Sequence, residues 1–166
     1  MNPLQTAVLR VLELDARTPV SEIAAQVGAT EAEVEAIIVA AQKNGLIRSY
    51  RTRIDWERAG QPRVFAFIDV SATPERGSGY DRIAERIYRY PEVHSVYLVS
   101  GTQDLRVVVE GETIQAVANF VAERLATIDG VRGTQTNFLL KKYKEDGVFF
   151  TGAETEDARL PVTPSA

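Results

Sequence analysis

Residues 93–110 read VHSVYLVSGTQDLRVVVE, two apolar segments separated by Gly101-Thr102-Gln103-Asp104. The segments Val93–Ser100 and Leu105–Glu110 are rich in valine and other residues that favour β-strands. Because the connection between them is short, the two strands are predicted to form a hairpin with its turn at residues 101–104.

The residues on either side of this hairpin predict two further strands and two helices. Apolar residues at helical spacing indicate helices that begin near Tyr80 and Ile114, and apolar segments at 64–70 and 131–140 indicate strands. The resulting order, β-α-β-β-α-β, is the ferredoxin-like arrangement. Two helices cover one face of such a sheet, and a second subunit is the simplest cover for the other, which also has apolar positions.

The first 45 residues have the pattern of three short helices. The first is predicted over 3–14, the second opens at Ser21 and closes at Gly28, and the third is capped by Thr30 with Glu33 at capping-box spacing. The tight turn between the second and third helices makes a helix-turn-helix. Residues 46–54 are predicted to follow as a strand that presents Ser49, Arg51 and Arg53 on one face, which would make the head a winged helix-turn-helix.

The length of 166 residues, with 45% apolar and 25% charged residues, is typical of a globular protein with one large or two small domains. We predict an α+β protein with a helix-turn-helix head over residues 1–60 and a ferredoxin-like domain over 61–144. Residues 145–166 are predicted to form a polar tail, loose at its end, with Pro161 and Pro164.

Several classes of site are made improbable by the residue types present. The chain has no cysteine and a single histidine, His94, so we predict no metal site, no cofactor and no catalytic residues. The N-terminus has no signal-peptide pattern, and no apolar run is long enough to span a bilayer. We expect the protein to be located in the cytoplasm.

The positive charge of the chain is concentrated after the third helix. The whole chain has a formal charge of −4, whereas residues 46–63 contain five arginines against Asp55 and Glu57. This segment is therefore the best candidate for a surface that binds an anion such as DNA phosphate. Solvated arginines that pair with nearby glutamates are the alternative interpretation.

Fragments of both halves, in their order and spacing, resemble the Lrp/AsnC (feast/famine) family of transcription regulators over about residues 4–144. In the head, the matching residues are VSEIA at 20–24, Gly28, Val34, Ile38, NGLI at 44–47, Ile54-Asp55 and Gly60. In the second part, they are Pro91-Glu92-Val93, YLVSG at 97–101, Asp104, Asp129-Gly130-Val131, Thr134 and Thr136.

The resemblance implies a ligand-responsive regulator that binds double-stranded DNA and an amino acid or similar small metabolite. It also implies that residues 61–144 form the ligand-sensing and oligomerisation domain of a homo-oligomer, a dimer or a higher state up to an octamer. The implied DNA-binding residues are Thr30, Glu33, Ala36, Arg48, Arg51 and Arg53. The implied effector-binding residues are Gly101, Thr102, Gln103, Asp104, Thr134 and Thr136, with turn amides for a carboxylate and Asp104 for an ammonium group.

Two features keep an alternative open. Family members commonly have basic residues in the middle of the third helix, where this chain has Ala36 and Ile37, and their Gly-Asp-Tyr-Asp turn is Gly-Thr-Gln-Asp here. The alternative is a small-molecule-binding oligomer of the same fold with weak or lost DNA recognition. The chain more distantly resembles the siroheme decarboxylases, but one histidine and no evident acid–base pair argue against an enzyme.

Overall fold

The structure is a computed structural model, and it describes residues 2–150. The chain divides into two compact units, Met1–Ile54 and Asp55–Ala166. The predicted head, residues 1–60, thus corresponds to the first unit and the first few residues of the second. The predicted positions Pro161 and Pro164 lie outside the described residues.

The first unit contains the three helices that the apolar spacing predicts. They are α1 (Pro3–Leu14), α2 (Val20–Val27) and α3 (Glu31–Lys43). Gly28 ends α2 in the left-handed conformation, φ +68°, which a residue without a Cβ adopts readily and which turns the chain toward α3. The helices meet around a small buried core of Val8, Ile23, Ala24 and Val34.

The prediction of a strand over residues 46–54 was wrong. This segment contains neither helix nor strand, so no β wing is present in the described part of the head. Alternating side chains favour an extended backbone, but a strand also needs a neighbour that accepts and donates its backbone hydrogen bonds. Arg51 and Arg53 are exposed, as predicted, but they lie in an irregular segment and not on one face of a strand.

The second unit has the predicted ferredoxin-like order. Its main elements are β1 (Val64–Ala72), α4 (Asp81–Tyr88), β2 (Val93–Leu98), β3 (Leu105–Gly111), α5 (Ile114–Phe120) and β4 (Val131–Phe138). A π-helical turn, Val121–Leu125, continues α5. The four strands form an antiparallel sheet in the order β2-β3-β1-β4, and β2 and β3 form the predicted hairpin.

Alternation along the strands gives the sheet one buried face and one open face. Ile68, Val70 and Val107 are fully buried, and they pack with Ile83 and Ile87 of α4 and with the apolar side of α5. Between them, Phe67 and Asp69 of β1 and Arg106 of β3 lie on the open face, as their register requires.

A short hairpin follows the sheet, and all of it except Lys144 lies in the region predicted as a tail. It consists of β5 (Lys144–Glu145) and β6 (Val148–Phe149). The ammonium group of Lys142 lies 4.8 Å from the ring centre of Phe65 and 4.9 Å from that of Phe150, so the segment packs against one end of β1. Among residues 2–150, no helix is long and apolar enough to cross a bilayer.

Candidate functional site

The turn between β2 and β3 borders a concave pocket on the open face of the sheet. The pocket has a volume of about 720 Å³, within the range of roughly 300–1,000 Å³ that is usual for small-molecule sites. Its lining residues are Asp69, Leu98, Val99, Ser100, Gly101, Thr102, Gln103, Arg106 and Gln135. The structure thus brings three of the predicted effector residues, Gly101, Thr102 and Gln103, to one pocket.

Asp104, the last residue of the turn, is not among the residues that line this pocket. Its Oδ2 accepts a hydrogen bond from the Ala72 backbone N–H at 2.8 Å, and its Oδ1 accepts one from the Tyr80 hydroxyl at 2.7 Å. A guanidinium nitrogen of Arg132 lies 3.6 Å from Oδ2. Asp104 therefore ties the turn to the end of β1, to the start of α4 and to β4.

These contacts shift the acidity of both hydrogen-bonded side chains. The Ala72 N–H, and then the Tyr80 hydroxyl, hold the pKa of the Asp104 carboxyl below its ordinary value because they stabilise the ionised form. The same hydrogen bond raises the pKa of Tyr80, since its proton is held by Asp104. Next to Asp104, the Gln103 amide oxygen accepts a hydrogen bond from the Ser71 hydroxyl. The turn is thus fastened to β1 at two consecutive residues.

The two predicted threonines lie on the buried face of the sheet, away from the pocket. Thr134 is opposite Val70 and Thr136 is opposite Ile68, and both of these β1 residues are fully buried. The intervening Gln135 is opposite Asp69 and lines the pocket. Because successive side chains of a strand point to opposite faces, the structure does not bring the threonines to the residues of the turn.

In the head, Thr30 and Glu33 bind each other at the start of α3. The Glu33 N–H donates to the Thr30 Oγ1 at 3.3 Å, and Glu33 Oε2 accepts hydrogen bonds from the Thr30 N–H at 2.9 Å and from its hydroxyl at 2.7 Å. The Thr30 N–H and then its hydroxyl lower the pKa of Glu33. The predicted capping box is confirmed, and it fixes two of the predicted DNA-binding side chains at the helix start.

Ala36 lies in the middle of the exposed side of α3, together with Glu35 and the 61%-exposed Val39. This side has neither lysine nor arginine until Lys43, and the next basic side chains along the chain belong to the segment that follows the helix. Arg48, Arg51 and Arg53 are all exposed there.

A family model described as the Lrp/AsnC ligand binding domain matches residues 65–149, which include the whole sheet apart from Val64. The chain belongs to the Lrp/AsnC family. The family resemblance seen in the sequence is thereby confirmed.

Two relatives match this Lrp/AsnC chain over almost its whole length. The uncharacterized HTH-type transcriptional regulator YugG of Bacillus subtilis is 46% identical over 162 residues, which cover 96% of this chain and 96% of that protein. The uncharacterized HTH-type transcriptional regulator PH0140 of Pyrococcus horikoshii is 31% identical over 90% of this chain and 93% of its own length. Both are named as regulators that contain a helix-turn-helix, like the head described above.

Solved structures of transcription regulators confirm the predicted fold class. The leucine response regulatory protein of Mycobacterium tuberculosis is similar with a TM-score of 0.73 and 25% identity, over 88% of this chain and 97% of that one. A transcriptional regulator of Neisseria meningitidis in complex with L-Met has a TM-score of 0.71 and 23% identity, over 87% of this chain and 93% of that one.

Three polar residues of the pocket, Asp69, Arg106 and Gln135, were not predicted from the sequence of this Lrp/AsnC chain. A signal for Asp69 was present, since it is the one charged residue in the apolar segment VFAFIDV at 64–70. Arg106 and Gln135 become its neighbours only through the register of β3 and β4 on either side of β1. That register is a property of the folded sheet and is not visible in the sequence.

Proposed function

We propose that the protein is a cytoplasmic, ligand-responsive transcription regulator whose head binds double-stranded DNA and whose sheet domain binds an amino acid or similar small metabolite. The observation that carries this proposal is the match of residues 65–149 to a ligand-binding domain, joined to a three-helix head. The Neisseria regulator that binds L-Met supports an amino acid as the class of effector. No catalytic step is part of the proposal.

In the head, α3 is the element that would enter the major groove, as the second helix of a helix-turn-helix does. Ala36 lies on its exposed side, where a small residue allows close approach to the bases. Thr30 and Glu33 would set the start of the helix at the groove through their mutual hydrogen bonds. Arg48, Arg51 and Arg53 would supply the contacts to phosphates.

The binding of DNA is tested by recovering genomic fragments with the purified protein and sequencing them. The proposal predicts a small set of enriched fragments that share a sequence motif. Recovery of fragments in proportion to their abundance in the genome would contradict sequence-specific binding and would favour the alternative of weak or lost DNA recognition.

Arg51→Ala and Arg53→Ala are expected to weaken the binding of all DNA sequences alike. If each arginine neutralises one phosphate, each substitution reduces the dependence of log affinity on log salt concentration by about one unit. The measurement is fluorescence anisotropy with labelled DNA over a series of salt concentrations. Arg89→Ala, at an exposed arginine of the second unit, is the control and should leave the slope unchanged. Unchanged binding in both head variants would place the phosphate contacts elsewhere.

In the sheet domain, the effector would bind in the pocket at the turn between β2 and β3. The backbone N–H groups near Gly101, together with Thr102 and Gln103, offer polar groups to the effector. Asp104 would contribute by fixing the turn, since its oxygens are engaged by Ala72 and Tyr80. A role for Thr134 and Thr136 remains a prediction, and it would have to act from the other face of the sheet.

A second copy of the chain is expected to cover the apolar half of the open face, formed by Phe65, Phe67 and Val108. Light scattering at micromolar concentration should give a dimer or a higher state up to an octamer. Phe67→Asp should shift the protein toward a monomer because it buries a charge, whereas Gln115→Asp, on the exposed side of α5, should not. A folded wild-type monomer would contradict this prediction.

A further inference from the structure

We propose that the ion pair between Asp69 and Arg106 is the binding site for the charged groups of an α-amino acid. The ammonium group of the ligand would bind Asp69, and its carboxylate would bind the Arg106 guanidinium. This inference rests on the proposed function, and it assigns the recognition of the zwitterion to residues on the open face of the sheet rather than to Asp104.

The pair is formed by residues directly opposite each other on β1 and β3. Arg106 Nε donates to Asp69 Oδ1 at 2.9 Å, and a second guanidinium nitrogen lies 2.8 Å from the same oxygen. Both contacts end on Oδ1, so Oδ2 has no hydrogen-bond partner among residues 2–150. The Asp69 side chain is 14% exposed and that of Arg106 is 50% exposed, so the acid is recessed and the guanidinium is open to a ligand.

The charges that line the pocket match a zwitterion. Of its lining residues, Asp69 is the only acid and Arg106 the only base. An arginine has five N–H donors in a planar fork that suits a carboxylate, and Asp69 engages only one side of that fork. A carboxylate oxygen that lacks a partner is the acceptor that an ammonium group needs. The pocket therefore supplies both partners next to each other.

Asp104 is the other acid close to the turn, and its contacts make it a poor acceptor for a ligand. Both of its oxygens already accept hydrogen bonds from Ala72 and Tyr80, and Arg132 lies near one of them. An ammonium group would have to displace these partners, which would leave a backbone N–H or a hydroxyl without an acceptor. Asp69 requires no such displacement.

The other polar residues of the pocket lie around the pair. Gln135 is opposite Asp69 on β4, on the side away from Arg106, and Gln103 and Thr102 come from the turn. The pocket is polar on these sides and apolar toward Leu98 and Val99. The ammonium and carboxylate groups of a bound amino acid would thus contact the sheet residues, and its side chain would contact the turn residues. The turn residues would then determine which amino acid binds.

The test is a thermal-shift screen of the wild type against each common L-amino acid at millimolar concentration. For any amino acid that raises the Tm, the matching amine without the carboxylate and the matching acid without the ammonium are measured next. The inference predicts that each of these analogues binds about 10- to 100-fold more weakly than the amino acid, since each lacks one charge-assisted contact. This comparison needs only the wild-type protein.

Asp69→Asn and Arg106→Gln should abolish the shift caused by that amino acid. Glu110→Gln is the matched control. Glu110 lies on β3 like Arg106 and forms a 3.1 Å ion pair with Arg63, but it does not line the pocket. A shift retained in both pocket variants, analogues that bind as well as the amino acid, or a wild type that responds to no amino acid would each overturn the inference. DNA binding by the same wild-type sample tests the regulator separately, so the two failures can be told apart.

Discussion

Ile23→Ala is expected to unfold the head and to abolish DNA binding while the sheet domain remains folded. Ile23 is fully buried, and within residues 2–150 the other buried members of its core are Val8, Ala24 and Val34. Truncation of a buried isoleucine costs about 2–5 kcal/mol, the lost burial plus the cavity left behind. A unit of this size has a net stability of only about 3–8 kcal/mol. The substitution therefore removes most of the free energy that holds the head together.

The two units make this effect separable from a general loss of folding. Circular dichroism should show a loss of helix, and calorimetry should show the transition of the sheet domain at its wild-type temperature. Leu14→Ala is the control in the same unit, since Leu14 is 79% exposed and its truncation should change stability little. If Ile23→Ala binds DNA with wild-type affinity, the head does not depend on this core.

Gly130→Ala is expected to destabilise the sheet domain by about 2–4 kcal/mol. Gly130 precedes β4 at φ +93°, a conformation that alanine rarely adopts. A Cβ at this position would lie 2.8 Å from Cδ1 of the fully buried Ile83. Backbone strain and the clash with the core therefore add. The strand that follows Gly130, β4, contains Gln135, which lines the pocket.

Gly133→Ala is the matched control on β4. Gly133 has open space around its Cβ position and is not at a positive φ, so its substitution should leave the Tm almost unchanged. Chemical denaturation of both variants measures the difference in the free energy of unfolding. Equal stabilities would show that the approach of Gly130 to Ile83 does not constrain the domain.

Local patterns predicted much of this fold. The apolar spacing identified the three head helices, and the capping box of Thr30 and Glu33 was visible because its residues are three positions apart. The order β-α-β-β-α-β of the elements along the chain followed from the apolar segments and the helical spacing between them. In contrast, the strand over residues 46–54 failed because side-chain alternation says nothing about whether a partner strand exists.

The candidate site was harder to predict than the fold, because its contacts join residues far apart in the chain. Asp104 accepts hydrogen bonds from Ala72 and Tyr80, which lie 32 and 24 residues earlier in the chain. Because these partners are distant in sequence, Asp104 was predicted to be a carboxylate available to a ligand. The pair of Asp69 and Arg106 spans 37 residues and depends on the register of two strands. Thr134 and Thr136 were predicted to bind the effector, but they lie on the buried face of the strand.

The most direct test of the regulator is the affinity of the wild-type protein for an enriched genomic fragment, measured with and without the amino acid that raises its Tm. The account predicts that the amino acid changes the Kd for this fragment by about fivefold or more, and that random DNA of equal length binds much more weakly. A Kd that no common L-amino acid changes, or equal binding of the fragment and random DNA, would contradict the account.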